Sequence, residues 1–122
     1  MADFYLNKVT IGGKLTKDPM LEVTMSGVYM TTFNVAISRK KGTYEKRPTF
    51  VRVAAFGHAA EFIVRHFRKG TSVCVVGSLS SRFWIDRNGM RQQVTEIHAE
   101  EVFPVGTPPF TAQLPLEENG GR

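Results

Sequence analysis

Two short stretches of this sequence place aromatic rings and arginines at every second position. In "FVRVAAF", residues 50–56, these are Phe50, Arg52 and Phe56, with Ala54 between them. In "SLSSRFWI", residues 78–85, Ser80, Arg82 and Trp84 follow the same spacing. Extended chain sends alternate side chains to opposite faces. One face of the first stretch then carries two rings flanking an arginine, and the other carries Val51, Val53 and Ala55. In the second, Trp84 shares a face with Arg82, while Leu79, Ser81, Phe83 and Ile85 share the opposite one. Small aliphatics suit a packed interior, so Phe83 is expected inward and Trp84 outward. Rings interleaved with guanidinium groups meet both needs of a single nucleic-acid strand. Bases stack on exposed rings for about 1–3 kcal/mol each, with little regard to identity. Phosphates need cations, and the affinity so gained falls with salt. A duplex hides its base faces, so such a surface selects single strands. Two other readings fit the same rings: an adaptor whose aromatic face binds a protein, of the primosome or secretion kind, and an RNA-binding protein. Steep salt dependence of DNA binding separates the first reading from the adaptor.

The charge balance points the same way. Lys and Arg number 16 against 11 acids, for a net charge of +5. The bases gather in residues 39–52, where Arg39, Lys40, Lys41, Lys46, Arg47 and Arg52 face Glu45 alone. Other chemistry is thin. His58, His66 and His98 lack metal-ligand spacing and read as structural or surface residues. Cys74 is single, which excludes an internal disulfide, suits a reducing compartment and marks no nucleophile. Glu100-Glu101 reads as a surface pair, and Gly12-Gly13 lacks the context of a phosphate loop. Neither catalysis, metal nor cofactor is expected. The N-terminus has no apolar signal core and no run reaches membrane-spanning length, so a cytoplasmic location is expected.

The elements that must position these residues are mostly strands. "NKVTIGGKL" alternates as a half-buried strand, its glycines suggesting a bend or bulge, and Asp18-Pro19 ends it. In "MLEVTMSGVYM", Ser26-Gly27 marks a turn between two extended pieces; "TTFNVAIS" is a second long strand and "FVRVAAF" a third. The period then changes. "HAAEFIVRHFRKG" places Ala59, Ile63 and Phe67 four apart, beside Ala60 and Val64, which predicts a helix closing with Arg68, Lys69 and a stop at Gly70. "TSVCVVGSLSSRFWI" and "QQVTEIHAEEVF" form a hairpin about Asn88-Gly89. Residues 1–104 make one all-β domain, a small five-stranded barrel with one helix between strands 3 and 4. Residues 105–122, rich in Pro and Gly, make a short flexible tail. The alternating flank of the first strand is a candidate pairing edge for a symmetric homo-oligomer.

Taken in order, "LNKVTIGGKLTKDP", "FVRVAAFG", "HFRKGTSVCVVGSL" and "RFWIDRNGMRQQVTEIHAEEV" resemble the bacterial single-stranded DNA-binding protein family over residues 6–103. The resemblance implies a Greek-key OB fold. It also implies a homotetramer wrapping single-stranded DNA in replication, recombination and repair, associated with the nucleoid. It places stacking rings at Phe50, Phe56 and Trp84, a backbone-contacting lysine at Lys8, and basic positions near the DNA path at Arg82 and Lys69. Where members often carry a further stacking ring, this chain has Arg39-Lys40-Lys41, with Tyr44 later: either Tyr44 substitutes or the loop works by charge alone. Val51 stands where many members have a histidine between subunits. The long tail with an acidic tip and a terminal Pro-Phe is missing, so recruitment of repair and replication proteins through such a tip is not implied here.

Overall fold

The computed structural model describes residues 3–38 and 47–106. The alternating stretches are strands: β1 (Val9–Leu15), β2 (Glu22–Val23), β3 (Tyr29–Ile37), β4 (Thr49–Phe56), β5 (Ser72–Ile85) and β6 (Arg91–Pro104). The stretch with helical period is α1 (His58–His66), between β4 and β5. Among the described residues, no helix is long and apolar enough to cross a membrane. β6 runs to Pro104, and residues 107–122 of the expected tail lie outside the described residues.

The all-β character and the single helix agree with expectation, but the five-stranded Greek-key OB barrel is corrected. The strands form one six-stranded sheet ordered β1-β5-β6-β4-β3-β2. The sixth strand is β2, which pairs Glu22 with Met30 and Val23 with Tyr29. Two residues are too few to show a period, but β2 falls within the first of the two extended pieces expected about the turn at Ser26-Gly27. Periodicity reads the faces of each strand, not which strands pair. β1 meets β3 through just Lys14↔Ala36 and Leu15↔Val35, and β4 meets β6, in parallel, through Val53↔Ile97 and Ala54↔His98. The long ladders are β3 with β4, β1 with β5, and β5 with β6, all antiparallel.

The core is mostly aliphatic, as alternation requires, with two phenylalanine rings. Leu15, Phe33, Val35, Val53, Ala55, Val73, Val75 and Ile97 cluster with Ile63 and Phe67 from the helical segment. Each large side chain so buried stabilises the fold by about 1.5–3 kcal/mol. The helix ends earlier than expected. Phe67 already has extended backbone, with φ −109° and ψ 149°, and its ring is buried in the core. The turn through Gly70 (φ 89°) follows outside the helix, where the Gly70 N–H donates to the Leu15 carbonyl at 2.8 Å. Burial of one ring thus outweighs another turn of helix.

Two glycines permit close approach of backbones. A Cβ on Gly13 would strike the Ala36 carbonyl oxygen, and one on Gly77 the His98 carbonyl oxygen. The irregularity in register falls between Val76 and Gly77, on β5 and not on β1, where the Gly12-Gly13 pair suggested it.

Candidate nucleic-acid interface

Adjacent strands β4, β6 and β5 put their outward side chains on one continuous face. The register pairs Ala54 with His98, Ser80 with Glu96 and Trp84 with Gln92. Phe50, Arg52 and Phe56 therefore share a face with Glu96 and His98, and with Ser80, Arg82 and Trp84. Val53, Ala55, Val75 and Ile97 are buried on the reverse side. The three rings remain open: Phe50 is 62 % exposed, Phe56 39 % and Trp84 43 %.

The centre of this face is an anion. Glu96 is only 5 % exposed. The Arg52 Nε donates to its Oε1 at 3.1 Å, the Arg82 Nε lies 3.8 Å from Oε2, and the His98 Nε2 lies 3.2 Å from Oε2. A carboxylate this buried needs such partners, because desolvation otherwise disfavours its charge. The partners reach the rings in turn. The Arg82 guanidinium lies 5.5 Å from the centre of the Trp84 ring, within cation–π range. His98 meets Phe56 edge-on, with centroids 5.3 Å apart. Sequence reasoning passed over Glu96 and gave His98 a structural or surface role. Counting back from Asn88-Gly89 as a two-residue turn would pair Ser80 with Ile97, one residue off the observed Ser80↔Glu96, so the sequence alone did not bring either to this face.

Phe83 does not face a core. It is 52 % exposed, with the Arg91 guanidinium 4.4 Å from its ring centre. The cause is length. β1 stops pairing with β5 at Val9↔Gly77, and beyond it only the side chain of Asn7 follows, holding the Leu79 backbone at 2.7 and 2.9 Å. The outer hairpin has lost the layer that alternation assumed behind it. Leu79 and Ile85 are exposed there too.

The hairpin tip also differs from a two-residue turn. The Asp86 N–H donates to the Met90 carbonyl and the Gly89 N–H to the Asp86 carbonyl, both at 2.9 Å. Asn88 and Gly89 thus sit within a three-residue loop, with Gly89 supplying the positive φ of 80°. The Asp86 carboxylate accepts the N–H groups of Met90 and Asn88 and the side-chain amide of Gln92, all at 2.9 Å. These bonds, that of Met90 foremost, hold its carboxyl below the usual carboxylate range.

The remaining cations are scattered. The Lys8 Nζ lies 3.6 Å from a Glu100 oxygen. Lys69 is exposed after α1, its backbone N–H donating to Asp18 at 2.7 Å. Arg47 is exposed just before β4. Arg39, Lys40, Lys41, Tyr44 and Lys46 lie outside the described residues.

Comparison with known proteins adds a family. The sequence profile of the "Single-strand binding protein family" matches residues 6–105. A single-stranded DNA-binding protein of Caldanaerobacter subterraneus subsp. tengcongensis is 39 % identical over 99 residues, covering 80 % of this chain and 66 % of that protein. Single-stranded DNA-binding protein 3 of Listeria innocua is 36 % identical, covering 80 % and 62 %. Single-stranded DNA-binding protein 2 of Staphylococcus aureus is 35 % identical, covering 80 % and 70 %. The match thus spans about two thirds of the length of these curated relatives.

Proposed function

This chain belongs to the single-strand binding protein family, and from that premise we propose that it binds and protects single-stranded DNA without sequence preference, in replication, recombination and repair. It is a binding protein, not an enzyme. Trp84, Phe56 and Phe50 stack bases, while Arg82, Arg52, Lys8, Lys69 and the basic segment 39–47 neutralise phosphates. The observation that carries this reading is the set of three exposed rings on neighbouring strands, with two arginines between them. One such platform accommodates roughly 4–16 nucleotides. Joining platforms makes later contacts intramolecular and raises affinity. The proposal therefore includes a symmetric homotetramer.

Trp84 is the only tryptophan, so its fluorescence reports on the site directly. Titration with oligo-dT at two salt concentrations should quench it, more weakly at higher salt. Duplex DNA and RNA of equal length should quench it far less. Salt-insensitive quenching, or equal quenching by duplex, would sink the reading. Light scattering at micromolar concentration tests assembly: a monomer mass with and without DNA rules it out.

A further inference from the structure

Glu96 is an anion set in the middle of a cationic face, where charge alone would make it a liability for binding phosphates. Its placement suggests a different use. It stands where β4, β6 and β5 run side by side, and its partners come from all three: Arg52 from β4, Arg82 from β5 and His98 from β6 itself. In both arginines the atom facing the carboxylate is Nε. That contact leaves the terminal Nη pair of each fork to other partners, and phosphate is well matched to it. Both side chains are about half exposed, whereas Glu96 lies beneath them. A long side chain that is ordered only on binding charges that ordering against affinity, and one held beforehand does not.

Resting on the single-strand reading, we propose that Glu96 is a positioning residue of the interface. It orients Arg52 and Arg82 between the rings with their outer N–H groups toward the phosphate path, and keeps His98 against Phe56. Glu96 itself touches no nucleic acid.

The sign of one substitution decides. If Glu96 were only a stray negative charge, Glu96→Gln would tighten binding. As a positioning residue, its removal weakens binding. Wild type, E96Q, R82Q and the double variant are titrated with fluorescein-labelled oligo-dT at several salt concentrations, with folding followed by thermal unfolding. Folded E96Q should bind about five- to tenfold more weakly, on the scale of one ordinary net hydrogen bond. Its log–log salt slope should be shallower by about 0.7 for each phosphate no longer neutralised. R82Q should weaken wild type but add little to E96Q, and the emission of Trp84 should shift in E96Q before any DNA is added. If wild type fails to bind oligo-dT, the single-strand reading falls and takes this inference with it. If wild type binds and folded E96Q binds as well or better, this inference alone falls. Should E96Q not fold, Arg52→Lys combined with Arg82→Lys keeps both charges but removes the Nε fork. Weakened binding is then expected, and unchanged affinity overturns the proposal.

Discussion

Phe83 and Trp84 are sequence neighbours with similar exposure, so company rather than depth distinguishes them. Trp84 lies beside Arg82 on the face of Phe50 and Phe56, while Phe83 lies beside Arg91 on the reverse. Trp84→Ala should lower oligo-dT affinity by about 1–3 kcal/mol, the worth of one stacked base. In urea unfolding it should change stability by less than about 1 kcal/mol, as for a surface position. Phe83→Ala should cost about 1 kcal/mol of stability, mostly its interaction with Arg91. Phe67→Ala removes a fully buried ring and should cost about 3–5 kcal/mol. Equal effects for the two phenylalanines would mean that the reverse face of the hairpin is covered after all. Alternation in the sequence sorted these side chains onto two faces correctly, but a face becomes an interior only where a second layer lies behind it. Nothing in "SRFWI" states how far the core extends.

At the scale of elements, the hairpin tip depends on one carboxylate. Bonds from Met90, Gln92 and Asn88 stabilise ionised Asp86 and depress its folded-state value. Such a group contributes stability above its unfolded-state value, and the contribution is lost as pH falls through the lower folded-state one. The tip should therefore loosen on acidification below the ordinary Asp value near 3.9, the loss completing as pH falls through the lower folded-state value. Amide chemical shifts of Asn88 and Met90 should titrate together across that window, and Asp86→Asn should abolish the transition. The existence of this hairpin was legible in Asn88-Gly89, but its three-residue loop was not, because the closing pair Asp86–Met90 lies outside the dipeptide. The helix shows the same limit. Its apolar spacing announced α1, but the spacing includes Phe67 whether that residue continues the helix or turns inward.

Across the whole molecule, the net charge of +5 is unevenly spread, and segment 39–47 carries five of the bases. Replacing Lys40, Lys41, Lys46 and Arg47 by Gln should weaken binding to all sequences alike. It should also flatten the salt slope by up to about 0.7 for every phosphate that the segment neutralises. An unchanged slope would mean that this segment is only solvated. The rings and arginines of the candidate site could be read from two short stretches. Glu96 could not, because its meaning arises from the pairing of strands far apart in the chain. One consequence of that pairing concerns time. β5 and β6 are each 14 residues long, and beyond Gly77 the β5 ladder has β6 as its one strand neighbour among the described residues. Separating the outer half breaks ladder bonds but uncovers almost no core, so it costs far less than global unfolding. Amide protons of residues 80–94 should exchange with solvent by local opening, at rates insensitive to mild denaturant. Those of Val73 and Val75 should exchange only when the whole chain unfolds. Trp84 rides on the faster part, so if it stacks a base as proposed, the dwell time of a bound strand should follow the opening rate of this arm more closely than the lifetime of the folded protein.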